Sequence, residues 1–159
     1  MSIDYNIVKI HKTEMSNFGL KWRFVDDNYN NLPLTVLNQL VTLNAEGAEK
    51  LSDILVKNGV HIDFPFNKRM FDQLIIYDIE LEDVAGVRRW LNGLGLNRDE
   101  PIYLHWSDKS AMVTSWGIVI DYYDDFFYPG SDDLTIFDSS LNWAVLFFHE
   151  SQIYFGTNS

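Results

Sequence analysis

The chain has 159 residues, of which 47% are hydrophobic and 15% aromatic, and its formal net charge is −11. This composition excludes intrinsic disorder, which combines low hydrophobicity with high charge, and the length predicts one domain over residues 1–159. Because the chain has no cysteine, disulfides, thiolate metal ligands and a cysteine nucleophile are excluded. Neither a signal-peptide pattern nor an apolar run approaching about 20 residues is present, so we expect a cytoplasmic protein without a membrane span.

The negative charge is concentrated toward the C-terminus. Residues 110–159 contain seven acidic residues and neither lysine nor arginine, whereas residues 1–109 contain 16 acidic and 12 basic residues. A field of one sign repels nucleic acid and anionic lipid and accelerates encounter with basic partners. The charge distribution therefore argues against direct nucleic acid binding and favours a basic partner.

The N-terminal half, about residues 1–70, is expected to be mainly helical. Residues 4–11 fit either a strand or a short helix, and residues 20–25 predict a strand because apolar side chains recur at every second position. Residues 34–41 have apolar side chains at helical spacing after Pro33, which suits the first position of a helix.

A second helix is predicted to follow at once, with Asn44 as its N-cap and its end near Asn58. Residues 71–77 predict a strand, and residues 84–94 predict a helix whose first turn is preceded by acidic residues.

The sheet-rich half, about residues 71–159, is expected to contain most of the strands. Residues 134–138, 143–149 and 152–155 are spaced as in an antiparallel meander, after a strand at 102–106 and a return strand at 112–114. The sequence therefore predicts an α+β fold, a curved antiparallel sheet with helices packed mainly on one side.

One stretch, residues 114–133, combines aromatic residues and aspartates on a predicted helix. On a helical wheel one sector is apolar and would be buried, and it contains Trp116, Val119, Ile120, Tyr123 and Phe127. The opposite sector is acidic and would face solvent, because unpaired carboxylates are almost never buried, and it contains Asp121, Asp124, Asp125 and Tyr128. Pro129 ends the helix.

Signatures of catalysis are weak. His105 with Asp108, and His149 with Glu150, lie in predicted strands or next to them, and convergence of these four side chains would form a metal site or an acid–base pair. The alternative hypothesis is therefore a small metal-dependent hydrolase. No zinc-peptidase, nucleophile-elbow or dinucleotide motif is present, so we expect no cofactor and no enzymatic activity.

The C-terminal third resembles the ending of small bacterial immunity-type proteins encoded beside polymorphic or contact-dependent inhibition toxins. The resemblance covers about 50 residues, and four features carry it: the turn from Tyr128 and Pro129 to Asp133, the strand at Trp143, the sequence from Phe148 to Glu150, and the pair Phe155 and Gly156. It implies a cytosolic protein without catalytic activity that binds a secreted toxin domain and occludes its active site.

The combined hypothesis is a cytosolic immunity protein that binds a cognate, cationic nuclease toxin through an acidic, aromatic surface. Self-association stays undecided. The predicted partner-binding residues are Asp121, Tyr122, Asp124, Asp125, Tyr128, Asp132 and Asp133.

Overall fold

A computed structural model describes residues 3–29 and 32–158 of the protein. The α-helices are α1 (Tyr5–His11), α2 (Trp22–Val25), α3 (Leu34–Leu37), α4 (Ala45–Lys57), α5 (Val84–Asn92) and α6 (Trp116–Phe126). The strands are β1 (Val41–Leu43), β2 (Gln73–Asp78), β3 (Pro101–Ser107), β4 (Ser110–Ser115), β5 (Leu134–Phe137), β6 (Trp143–Phe148) and β7 (Gln152–Thr157).

The strands form a single open sheet in the order β1-β4-β3-β5-β6-β7-β2, and all neighbouring strands are antiparallel. Strands β5, β6 and β7 make the predicted meander, and β4 pairs back on β3 as expected. The predicted α+β class is confirmed.

Side chains of the central strands alternate between two apolar cores, one on each face of the sheet. Along β3, Ile102 and Leu104 belong to the core that contains α6, whereas Tyr103 points into the core that contains α4. Four of the six α-helices in the described residues, α2, α3, α5 and α6, pack on the first face, and α1 and α4 cover part of the second.

Two local predictions in the N-terminal half are wrong. Residues 20–25 contain helix α2 instead of a strand, and the neighbouring side chains Arg23 and Phe24 are both buried, which a strand with one covered face does not allow. The helix predicted over residues 34–41 ends at Leu37, because Val41 begins β1 and pairs with β4. Tertiary pairing therefore overrides the helical spacing of the apolar residues there.

Helix ends follow their local signals more closely. The Asn44 side chain accepts a hydrogen bond from the Gly47 amide at 2.8 Å, which makes Asn44 the N-cap of α4 as predicted. Of residues 4–11, which fit either a strand or a short helix, residues 5–11 form helix α1, and Asp4 is its N-cap, accepting from the Asn6 amide at 2.9 Å. None of the helices in residues 3–29 and 32–158 has the length and apolar character needed to cross a membrane.

The two edges of the sheet differ. The β1 edge is covered by residues 11–13: the Thr13 amide donates to the Thr42 carbonyl at 2.9 Å, and the Asn44 amide donates to the His11 carbonyl at 2.8 Å. At the opposite edge, β2 pairs through all six of its residues with β7, and it is the last strand of the sheet.

Candidate functional site

Helix α6 buries the sector that the wheel predicts. Trp116, Val119, Ile120 and Tyr123 on the helix, and Phe127 just after it, are all buried in the core beneath the sheet. The helix is kinked at Tyr122, whose φ of −131° and ψ of 27° are not helical, and the half-buried Tyr122 side chain packs against the same core. The aspartates therefore lie on the outer side of α6, as expected.

Two of these aspartates are paired with arginines of the same chain, so the prediction of an uncompensated acidic surface is wrong. Asp121 lies 2.7 Å from Arg98, and Asp124 lies 3.4 Å from Arg88. Both arginines come from α5 or the segment that follows it, and α5 packs beside α6. The compensation is invisible to a charge count over residues 110–159, because the cations lie earlier in the chain.

Asp132 is buried, contrary to its predicted role as an exposed contact. Its carboxylate accepts hydrogen bonds from Arg23 Nη1 at 2.5 Å and Nη2 at 2.8 Å, and both side chains are less than a tenth exposed. Asp132 also accepts a hydrogen bond from the Tyr128 amide. The Arg23 guanidinium stacks on the Tyr128 ring, with Cζ 4.2 Å from the ring centre. Tyr128 is therefore half-buried and occupied on one face, and this cluster fixes the turn after α6.

The remaining two aspartates of the set differ from each other. Asp125 is half-buried, and burial, with a smaller contribution from neighbouring Asp124, raises its pKa to about 6. Asp133 is exposed, and its carboxylate accepts from the backbone amide of His149 at 3.0 Å and lies 2.9 Å from His149 Nδ1.

The four side chains of the alternative site do not converge. His105 and Asp108 are joined through Ser52, whose Oγ lies 2.6 Å from His105 Nε2 and 2.6 Å from Asp108 Oδ1. His149 is instead paired with Asp133, and Glu150 is exposed in the turn between β6 and β7. Across the described part of the chain, no group of three or more potential ligands could hold a metal ion.

The order of the Ser52 contacts does not suit nucleophilic catalysis. In a hydrolase triad the histidine lies between serine and carboxylate and accepts the serine proton. Here the serine lies in the middle, and its single proton goes to the Asp108 carboxylate, which is the stronger acceptor. His105 Nε2–H then donates to Ser52 Oγ, and burial lowers the pKa of His105 to about 4, so the ring is neutral at pH 7. Ser52 therefore orients Asp108.

Asp108 lies in the wall of a cleft of about 380 Å³ between the end of α4, residues 61–65 and the strands β3, β5 and β6. Two phenylalanines, Phe64 and Phe148, contribute aromatic rings to this wall. Trp106 also lines the cleft, but its indole packs against Phe18 in the core that contains α6, and its Nε1–H donates to the Phe126 carbonyl at 2.9 Å. Three carboxylates line it as well, Asp63, Asp108 and Asp133, and among the described residues that line the cleft there is neither lysine nor arginine. Of the predicted site residues, the cleft brings together His105, Asp108 and Asp133.

A second surface was missed by the sequence reasoning. Five of the six residues of β2 are exposed, including the apolar Leu74, Ile75 and Ile76, which are 42–52% exposed. A run of neighbouring apolar residues in a strand usually indicates burial on both faces, so the pattern gave no sign that β2 is an edge.

The exposed edge continues toward the cleft. Ile76 is opposite Tyr154 in the sheet, and the Phe64 ring lies 5.3 Å from Tyr154 and 4.7 Å from Phe148, measured between ring centres. Phe64 is itself 58% exposed. We call the exposed edge formed by Leu74, Ile75 and Ile76, together with Phe64, the edge patch. Leu74, Ile76 and Phe64 lie on the face of the sheet that contains the α4 core, and Ile75 points to the other face.

Comparisons of the chain with models of protein families, with curated proteins and with solved structures found no match.

Proposed function

We propose that this chain is an immunity-type protein that binds a cognate, cationic toxin domain and occludes its active site, and that it does so through the edge patch. The observation that carries the proposal is the exposed β2 edge, six residues long and apolar at three successive positions. The resemblance of the C-terminal third to immunity-type proteins supports the toxin as the class of partner.

An uncovered strand offers a row of unpaired backbone donors and acceptors, to which a strand of another chain can be added. The Ile79 amide donates to the Ser151 carbonyl on the β7 side at 2.8 Å. Since backbone groups alternate in direction along a strand, the amides of Leu74, Ile76 and Asp78 face away from β7. Natural proteins usually protect such edges with charge, proline or a covering segment, and residues 11–13 do so at β1. The apolar exposure of β2 is therefore expected of a surface that a partner covers.

Charge supports a basic partner even though the aspartates of α6 are paired. The arginines of those pairs are already included in the net charge of −11, so a long-range negative field remains. This field accelerates docking of a cationic domain, and the apolar contacts of the edge patch hold it once docked.

The test is the affinity for the polypeptide encoded by the neighbouring gene, measured for wild type and for Ile76→Lys. A lysine on the edge keeps the pairing with β7 but places a charge where an added strand would pack, so we expect affinity to fall by about 100-fold or more. The matched control is Ile10→Lys on α1, because Ile10 is also an exposed isoleucine, 70% accessible. The control should bind within about threefold of wild type.

Thermal unfolding of both variants confirms that they fold, since substitutions at exposed positions usually change stability by less than about 0.5 kcal/mol. Wild-type affinity in a folded Ile76→Lys variant would overturn the proposal that β2 is the contact.

A further inference from the structure

We propose that the cleft beside the edge patch binds an alkyl guanidinium, carried either by an arginine side chain of the partner or by a free small molecule. The inference deepens the proposed function and rests on it only for the source of the guanidinium. The cleft, of about 380 Å³, is large enough for an arginine side chain and opens next to Phe64, which belongs to the edge patch.

The three carboxylates of the cleft are each oriented by a donor from the protein. Asp63 Oδ2 accepts from the Lys68 amide at 3.0 Å, Asp108 Oδ1 from Ser52 Oγ at 2.6 Å, and Asp133 Oδ1 from the His149 amide at 3.0 Å. Within the described residues these bonds occupy one oxygen of each carboxylate and leave the other for a ligand. A preoriented acceptor loses little side-chain freedom when it binds a donor, which favours affinity.

Among the described residues, neither histidine that lines the cleft, His61 or His105, forms a direct hydrogen bond with these carboxylates. His105 is kept uncharged at pH 7 by burial, which lowers its pKa to about 4. His61 lies with Nδ1 2.8 Å from the Pro65 carbonyl and Nε2 3.0 Å from Thr135 Oγ1, so both ring nitrogens are already occupied. Since no lysine or arginine of the described residues lines the cleft, a cationic ligand would meet Asp63 and Asp108 without a competing lysine or arginine. At Asp133 it would share the carboxylate with His149, whose Nδ1 lies 2.9 Å from Asp133 Oδ1.

The aromatic walls favour guanidinium over a compact ammonium or a metal ion. A guanidinium is planar, weakly hydrated and able to stack on an aromatic ring while its edge donates to a carboxylate. The protein already uses this arrangement once, where Arg23 stacks on Tyr128 and donates twice to Asp132. The cleft offers the same two elements, an aromatic face and a carboxylate edge, without the arginine.

A second groove provides a matched control. It has a similar volume of about 390 Å³ and lies where α6 meets residues 79–84. Its wall contains four acidic and three aromatic residues, Glu80, Glu82, Asp83, Asp124, Tyr123, Phe127 and Tyr128. Asp124 is already paired with Arg88, and Asp83 accepts from the Gly86 amide and from the Tyr77 hydroxyl. Acidity and aromatic rings are therefore shared by both grooves. What distinguishes the cleft is that each of its three carboxylates is oriented by a protein donor at one oxygen and, within the described residues, keeps its other oxygen open.

The experiment titrates the full chain with Nα-acetyl-argininamide and with its neutral isostere Nα-acetyl-citrullinamide, and it follows by NMR the backbone amide signals of Phe64 and Thr135, which line the cleft. A ligand of this size is expected to bind with a Kd on the order of 1 mM, and the citrulline probe about tenfold more weakly or worse. Asp108→Asn retains an acceptor for Ser52 and should weaken the arginine probe about tenfold, whereas Asp124→Asn should leave it unchanged. If Asp108→Asn does not fold, Asp133→Asn at an exposed position takes its place.

Equal binding of the two probes, or unchanged binding in a folded Asp108→Asn or Asp133→Asn variant, would overturn the inference. A competition experiment separates the two sources of the guanidinium, with the arginine probe at 10 times its Kd, on the order of 10 mM. The probe weakens toxin binding if the partner supplies the guanidinium, and it leaves toxin binding unchanged if a free molecule does. Ile76→Lys should bind the probe as wild type does. Failure of the edge contact and failure of the cleft are therefore distinguishable.

Discussion

The aspartates of α6 and the carboxylates of the cleft have the same chemistry and opposite surroundings. Around α6 and the turn after it, Asp121, Asp124 and Asp132 are each paired with an arginine from an earlier part of the chain. In the cleft, Asp63, Asp108 and Asp133 are held by backbone amides, a serine hydroxyl and a histidine. The carboxylates of the first region are paired with arginines of the same chain, whereas no lysine or arginine of the described residues lines the cleft.

This difference shows that acidity in the sequence does not by itself locate a binding surface. A carboxylate paired with an arginine of its own chain must break that contact before it can bind another cation, and the exchange gains little. Asp63 and Asp108 are held by a backbone amide and a serine hydroxyl, which are neutral donors, so both carboxylates keep their full charge and are already oriented. The carboxylates of the cleft are therefore better placed to bind a cationic group than the aspartates of α6, which the sequence predicted as the binding surface.

The largest effect is expected at the buried end of the α6 region, in Arg23→Met. This substitution leaves Asp132 buried without its cation, which typically costs about 3–5 kcal/mol of unfolding free energy. Urea denaturation at pH 7 measures the loss. A loss below about 1 kcal/mol would show that Asp132 is not dependent on Arg23, and the contrast between the two regions would weaken.

The double variant Arg23→Met/Asp132→Asn is the control for that interpretation. The asparagine removes the unpaired charge and still offers an oxygen to the Tyr128 amide, which donates to Asp132 in the wild type. We expect it to recover at least about 1 kcal/mol relative to Arg23→Met alone, because the penalty comes from the buried charge.

A second, smaller effect depends on pH and involves one titratable side chain from each region, Asp125 on α6 and His105 in the cleft. Burial raises the pKa of Asp125 on α6 to about 6 and lowers the pKa of His105 in the cleft to about 4. Between pH 4 and 6 the folded protein holds a proton on Asp125 that the unfolded chain lacks, so acidification stabilises the fold through Asp125. Below pH 6.5 the unfolded chain protonates His105 while the folded protein does not, so acidification destabilises the fold through His105.

The two contributions oppose each other and can be isolated by Asp125→Asn and His105→Gln. Between pH 6.5 and 4, the unfolding free energy of Asp125→Asn should fall relative to wild type and that of His105→Gln should rise. Each change should be on the order of 1–2 kcal/mol after allowance for solvent screening. Urea denaturation at several pH values measures them, and differences of the same sign would contradict the assigned pKa shifts.

Much of the fold was predictable because its signals are local. The buried sector of α6, the N-cap at Asn44 and the strands of the meander depend on residues near one another in sequence. The failures lie where a distant partner decides. Helix α2 places Arg23 next to Asp132, which lies 109 positions later in the chain. Val41 has helical spacing in the sequence, but it belongs to β1 and pairs with Val113.

The candidate site was less predictable for the same reason. The aspartates of α6 were identified correctly as outward-facing in two cases, Asp121 and Asp124, but their partners Arg98 and Arg88 lie in another segment. The cleft assembles residues from α4, residues 61–65, β3 and the turn before β5, so no spacing in the sequence marks it. The exposure of β2 depends on its place at the end of the strand order.

The smallest effect is expected in the double variant Asp121→Asn/Asp124→Asn. Both pairs are solvent-exposed, with side chains 42–52% accessible, and exposed pairs typically contribute about 0–1 kcal/mol because water and salt screen them. Unfolding free energy should therefore change by less than about 1 kcal/mol, and affinity for the proposed toxin partner by less than about threefold. Denaturation and binding measurements at low and high salt check both values. A loss of affinity above about tenfold would mean that Arg88 and Arg98 release these aspartates on docking, and α6 would then share the interface with the edge patch.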